Sequence, residues 1–417
     1  MKSFAARAPA SPPVSNRDLQ RDFLALSFQM ESGRRLPVFT RFEGPISLRV
    51  TGKPSSTFEA DLRALVLRLR TEAGIDISRT NSEDANITIA AVSRNDIQRV
   101  LPQAACFVAP NVTTLDEFRK HRRGLRTNWA MLRSRKTIGI FVPNDTSPQE
   151  IRDCLHEELA QALGPLNDLY RLPNSVFNDD NVHTVLTSFD MLILKATYAP
   201  ELSSAMSRNE VAARLPAIFA RINPRGRSLP ETPASATPIS YAQAIQKALG
   251  PGASPAARRT AADKAIRISV REGWTDNRRG FAHYAKGRLL QPVDRVAAHR
   301  EFQIADSFFA RSPQTRLHRA YVATQLSAHA LSTGKPEEAR LIASRNFTVA
   351  RDAQNAALLS TLQLLAAQSL DVQGRASEAR NLRLDSLGWA RYGFGSDWAV
   401  RSKLREISAL TQTRPPN

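Results

Sequence analysis

Apolar positions change their period along this chain. "ISLRV" (46–50), "IDISR" (75–79), "ANITIAAV" (85–92) and "KTIGIFVP" (136–143) alternate or run apolar over a few residues, the pattern of strands. "QAACFVAP" (103–110) reads as extended as well. Between the first two strands "FEADLRALVLRLRTEAG" (58–74) has helical spacing and stops at Gly74. Beyond residue 240 the spacing is helical throughout, rich in Ala and Leu.

The best-marked helix follows the strand at 136–143. Ser147 offers an N-cap, Pro148 the first helical position, Glu150 the third residue of a capping box, and Gly164–Pro165 the stop. At about 100° per residue, Ile151, Leu155, Leu159 and Ala162 form one apolar stripe. Glu158 falls within that stripe, while Glu157 and Gln161 share a neighbouring edge. A carboxylate on an apolar stripe is costly unless it is neutral, paired or beside a cleft. Glu158 is therefore the most telling side chain, and His156, well round the helix from Gln161, is a bystander.

The chain divides into four stretches. Residues 1–15 are Ala/Pro/Ser-rich and expected to be disordered. Residues 16–222 carry the mixed α/β pattern. Residues 223–240, "NPRGRSLPETPASATPIS", read as a linker. Residues 241–411 repeat: "TGKPEEARLIA" at Gly334 and "QGRASEARNLR" at Gly374 recur about forty residues apart, with a fainter copy around Gly287. Helix–turn–helix units of this kind look like tetratricopeptide repeats, although the period is longer than theirs. Stacked units of that type present a concave surface for protein or peptide partners. Trp274, Trp389 and Trp398 are expected in the core, with partner binding the alternative.

Composition adds limits. At 417 residues the chain can hold two or three domains. No run of about 18 apolar residues offers a membrane-crossing helix. The N-terminus lacks the apolar stretch of a signal peptide, so a cytoplasmic location is expected if this start is authentic. The formal charge is +19. It is densest from Arg119 to Lys136, around Trp129, but no nucleic-acid-binding signature accompanies it. A solvated arginine-rich surface is the plainer reading; a patch for phosphate, anionic lipid or an acidic partner is the alternative.

From Glu157, "EELAQALGPLND" resembles the metzincin zinc motif HExxHxxGxxH with its ligands replaced. Glu157, Gln161 and Asn167 fall on the three histidine positions, Glu158 on the catalytic glutamate and Gly164 on the glycine. "LPNSVFNDD" resembles the Met-turn, with Phe177 in the methionine position, and "LTSFDMLILKATY" resembles the C-terminal helix, where Thr187 and Asp190 fit a capping box. A closer resemblance is to the proteobacterial domain-of-unknown-function family 2927, often found in putative lipoproteins. It is carried by Cys154, Glu157, Glu158, Gln161, Gly164, Asn167 and Asp168, then Ser175–Asp179, then Leu186–Tyr198. The resemblance implies an α+β, metzincin-like (zincin) domain with a mixed sheet and an active-site-type helix, here followed by an all-α helical-repeat domain. It also implies a periplasmic or envelope-associated location.

Zinc hydrolysis needs imidazoles or thiolates and an open coordination position. The amides of Gln161 and Asn167 suit hard cations or hydrogen bonds instead. The expected role of Glu157, Gln161, Asn167, Asp168 and Phe177 is a structural or binding network, with no cofactor. The alternatives are an oxygen-ligand calcium or magnesium site from Glu157, Glu158, Gln161 and Asp168, and a zinc enzyme in which Glu158 is catalytic. "FNDDN" (177–181) reads as a turn with Asx caps. Cys106 and Cys154 are expected to approach each other, as a disulfide after export or as buried thiols in the cytoplasm. The leading function is a non-catalytic module joined to a helical-repeat adaptor with a protein or peptide partner. A divergent metallohydrolase comes second and a basic nucleic-acid-binding regulator third.

Overall fold

A computed structural model describes Lys2, Phe4, residues 12–233 and residues 235–411. The fold is α+β. Strands β1 (Ile46–Gly52), β2 (Ile77–Arg79), β3 (Ile87–Val92), β4 (Phe107–Pro110) and β5 (Ile138–Pro143) form one five-stranded mixed sheet, in the order β2-β1-β3-β5-β4. All neighbours are parallel except β4, which runs antiparallel to β5 with Phe107 opposite Phe141. The continuous apolar runs of β3 and β5 are explained by burial on both faces. One face packs against α2 (Phe58–Thr71) and α5 (Pro148–Leu163) in the main core. The other packs Phe141 and Phe107 against α3 (Arg94–Val100) and α4 (Leu115–His121).

Helices α1 (Asn16–Ser27), α3, α4 and α7 (Arg208–Ile222) were not anticipated. Helices α3 and α4 are only seven residues long, whereas α1 and α7 do carry helical spacing, in Leu19, Phe23 and Leu26 and in Val211, Leu215, Ile218 and Phe219. Ser15 Oγ caps α1 by accepting from Asp18 N. Most of the stretch expected to be disordered, residues 1, 3 and 5–11, lies outside the described residues. Lys2 and Phe4 are placed: Phe4 stacks on Trp389 with ring centroids 4.5 Å apart. Helix α6 (Ser188–Thr197) begins with the full Thr187–Asp190 capping box. In α5 only half of the expected box forms, because Ser147 accepts from Glu150 N while the Glu150 carboxylate pairs with Arg94.

Past residue 238 the chain is helical: α8 (Ile239–Leu249), α9 (Pro255–Arg271), α10 (Asn277–Leu290), α11 (Arg295–Phe309), α12 (Arg316–Ser332), α13 (Pro336–Ser344), α14 (Phe347–Asp352), α15 (Ala356–Val372), α16 (Ala376–Phe394) and α17 (Asp397–Ser408). The recurring glycines, Gly334 and Gly374, sit in the turns of the α12–α13 and α15–α16 pairs at φ of 80° and 76°, values glycine adopts without strain. Gly287 differs. It lies inside α10, where an added Cβ would come 2.7 Å from the Phe302 ring, so it serves close helix packing rather than a turn. Trp274 and Trp389 are buried, and Trp398 is exposed.

The segment read as a linker is fastened near its middle. Thr232 N donates to the Asp18 carboxylate, and Ser235 accepts from Trp274 Nε1 and from the Arg278 guanidinium. A buried pair, His318 Nε2 and Asp180 Oδ2 at 2.8 Å, ties α12 to the turn after α5.

Two internal ties fix α5. Arg135 is 3% exposed and has no carboxylate partner among the described residues; its guanidinium donates to the carbonyls of Gln161, Ala162 and Gly164, while the side chain packs over Trp129. These carbonyls belong to the end of a helix, where Gly164 N still reaches Gln161 but further backbone donors run out and the dipole favours a cation. Burial pushes the Arg135 pKa down to about 10, which still leaves it charged. Cys106, just before β4, is disulfide-bonded to Cys154 of α5, with Cα atoms 5.9 Å apart.

Arg135→Met should lower the unfolding free energy by about 3 kcal/mol, because buried carbonyls lose their donors, and Arg135→Lys should lose less. Chemical denaturation measures both, and a loss below about 1 kcal/mol in the Met variant would mean the carbonyls find other partners. The disulfide closes a loop of 48 residues, so replacing both cysteines with alanine should cost about 4 kcal/mol. Denatured, unreduced protein should show no thiol reactive toward a maleimide.

Candidate functional site

Helix α5 is buried almost all round. Ile151, Cys154, Leu155, Leu159 and Ala162 join the main core. On another side Gln149 donates to Asn355 Oδ1 at 3.1 Å and accepts from Ala357 N at 3.0 Å, and Arg152 donates to the Gln354 carbonyl. Arg152 also lies between the rings of Phe4 and Tyr392. His156 is part of this packing. Its Nδ1 accepts from Leu186 N, and burial with Arg152 and Arg68 nearby holds its pKa well below the usual value. It is a neutral structural histidine outside the cleft.

The second half of α5 opens onto a cleft of about 1290 Å³. One wall is the segment entering β4, from Gln103 to Val108, together with Trp129. The other is helical, with Gln243 to Leu249 of α8, Phe281, Tyr284 and Arg288 of α10 and Tyr321 of α12. Glu157, Glu158 and Gln161 lie along α5, joined by Glu31 from the turn after α1, Asp168 from the loop after α5, and Asp179 and Asp180 from the following turn. Six carboxylates thus share a cleft whose cations are Lys247 and Arg288.

Their protonation reflects this crowding. Burial, then the charges of Glu31 and Asp179, push Glu157 up to about 8. Burial, then Glu157 and Glu31, push Glu158 well above the carboxylate range, and Asp168 rises for the same kind of reason. Asp179, which accepts from the Tyr170 hydroxyl, is pushed up to about 6, first by burial and then by Glu31. Like charges in a poorly solvated cleft cannot all ionise together.

Not every predicted residue faces the cleft. Asn167 is buried and donates from Nδ2 to the Ala25 carbonyl at 3.0 Å, and the cleft position goes to its neighbour Asp168. Phe177 is a fully buried core ring; its N–H donates to Ser175 Oγ and its carbonyl accepts from Leu169 N. The 177–181 turn holds the expected Asx bonds, from Asp180 N to Asn178 Oδ1 and from Val182 N to Asp180 Oδ1. It also delivers Asp179 to the cleft, which the turn reading did not anticipate. Glu31 and Tyr170 went unnoticed because nothing local distinguishes them from surface residues. The basic stretch 119–136 is partly structural: Arg122 donates to the Val100 carbonyl, Arg126 to the Asn111 carbonyl, and Arg135 to α5.

Residues 16–217 match the family model described as protein of unknown function (DUF2927). No curated protein and no solved structure matches the chain. The DUF2927 match ends inside α7, so it supplies α5 and every carboxylate of the cleft, whereas α8, α10 and α12, which form the facing wall, lie beyond it.

Asp153, one turn before Glu157, gives a pH test. Burial pushes its pKa up to about 8 against the opposing charge of Arg152, with Glu157 adding to the rise. A carboxyl whose folded pKa is raised stabilises the fold only at low pH, and that stability is lost as pH climbs through the folded value. Asp153→Asn should therefore melt higher than the wild type at pH 9, with the gap shrinking towards pH 4. A gap independent of pH would show that Asp153 is ionised in the folded protein.

Proposed function

We propose that this chain is a non-catalytic binding protein. In this reading residues 16–222 are a metzincin-like module that retains a substrate groove without zinc chemistry, and the tetratricopeptide-like helices of 241–411 close the groove from the other side. The observation that carries the reading is the meeting of a free sheet edge and a carboxylate floor in one cleft. Among the described residues strand β4 pairs only with β5, and its start lines the same cleft as Glu157 and Glu158. An edge strand can add an extended peptide as a further strand, and carboxylates beside it favour basic side chains.

The donor set argues against a zinc enzyme. The described residues lining the cleft include no histidine, and the one cysteine there, Cys106, is in the disulfide. Carboxylates and an amide are hard donors ill-suited to holding zinc with an open position for water. The metzincin-like reading is supported by the antiparallel edge strand and by the helix that directly follows β5. The Cys106–Cys154 disulfide favours an oxidising compartment, in keeping with a periplasmic or envelope location.

An alternating lysine–valine octapeptide should bind in fluorescence anisotropy and remain intact by mass spectrometry, with or without chelator. The matching glutamate–valine peptide should not bind, and Glu157→Gln with Glu158→Gln should weaken the lysine peptide at least tenfold. Chelator-sensitive cleavage would instead establish a metallopeptidase. A second prediction concerns the ligand register. Glu157→His, Gln161→His and Asp168→His together should bind zinc more tightly than the triple variant carrying Asn167→His, because Asn167 is turned towards Ala25. The opposite order in competition with a zinc dye would restore Asn167 as the third ligand position.

A further inference from the structure

Three unconnected segments bring carboxylates together in the cleft. One oxygen each from Glu31, Asp168 and Asp179 lies within 4.8 Å of the other two. At this range the three cannot all ionise without a cation beside them, and neither Lys247 nor Arg288 forms an ion pair with these groups among the described residues. A separate observation points to the same place. Glu158 is only 5% exposed, opens onto this cleft, and has an Oε2 without a hydrogen-bond partner. Asp168 Oδ1 likewise has no donor, although the Asp168 carboxyl lies within hydrogen-bond reach of Glu31. Buried polar atoms are nearly always satisfied, so carboxyl oxygens left bare in one cleft point to a missing positive partner.

We infer that Glu31, Asp168 and Asp179 form a site for a hard divalent cation, calcium in the first instance, with Glu158 adding negative charge from the floor of the cleft. Calcium takes oxygen ligands at roughly 2.3–2.6 Å, so oxygens around one ion lie no more than about 5 Å apart. The observed spacing suits a single ion. With only oxygens offered, zinc and copper are poorly matched. The inference rests on carboxylate geometry and holds whether or not the cleft takes peptides.

Full-length, chelator-treated protein titrated with calcium chloride in a calorimeter should bind about one equivalent, with a dissociation constant of roughly 10⁻⁶ to 10⁻⁴ M, and magnesium should bind more weakly. Millimolar calcium should raise the melting temperature by several degrees, because only the folded state assembles the site. Asp168→Asn with Asp179→Asn should weaken calcium binding at least tenfold. The same variant should melt higher than the wild type without calcium, which separates loss of the site from loss of the fold. Glu150→Gln, a carboxylate paired with Arg94 outside the cleft, should bind calcium like the wild type. Absence of heat and of any melting shift in the wild type with both ions would overturn the inference, as would unchanged affinity in the double variant. Failure of the lysine peptide to bind would leave the calcium result standing.

Discussion

The contact on which the rest of the site depends is the grip of Arg135 on the end of α5. A buried guanidinium without a carboxylate is tolerated because three helix-terminal carbonyls and the helix dipole stand in for the anion. This fixes where the helix stops, and so where the chain turns towards Asp168 and the 177–181 turn. The disulfide at Cys154 and the bonds from Gln149 and Arg152 hold the other half of the helix. With both halves pinned, Glu157, Glu158 and Gln161 have little freedom to turn away from the cleft, and their mutual repulsion is held in place by packing elsewhere.

The electrostatics of the molecule are layered. The chain as a whole is strongly basic, yet the cleft beside α5 is acidic. Arginines spread over the surface leave a cationic exterior, while the carboxylates gathered from three segments face one another at the junction of the sheet and the helices. A cation moving towards that junction passes from a repelling surface to an attracting interior. Small ions cross such a barrier more readily under salt screening than extended polycations do.

Much of the fold was legible. The strands at 46–52, 87–92 and 138–143 announce themselves by apolar runs, and α5 by its capping signals and its Gly–Pro stop. The turn glycines at 334 and 374 marked two helix pairs correctly, whereas Gly287 misled because a glycine inside a helix can serve close packing as readily as a turn. Helix α5 gave Glu157, Glu158 and Gln161 together, since one helix sets their relative directions. Glu31, Asp179 and Tyr170 could not be read in the same way. They reach the cleft through long-range folding, and local pattern carries no record of it. Asn167 and Asp168 show the limit most sharply: adjacent residues on a loop point to different places, and which one faces the cleft depends on the Ala25 carbonyl of α1.

The buried contact between His318 of α12 and Asp180 of the turn after α5 bears on what counts as a unit in this molecule. Asp180 lies within the matched family segment and His318 about a hundred residues beyond its end. The same holds for Gln149 and Arg152, whose partners are in and beside α15. Cutting the chain where the family segment ends would leave these groups desolvated on one side and bare on the other. The end of the family match and the limit of buried contact therefore part company here, and the helices complete the α5 environment.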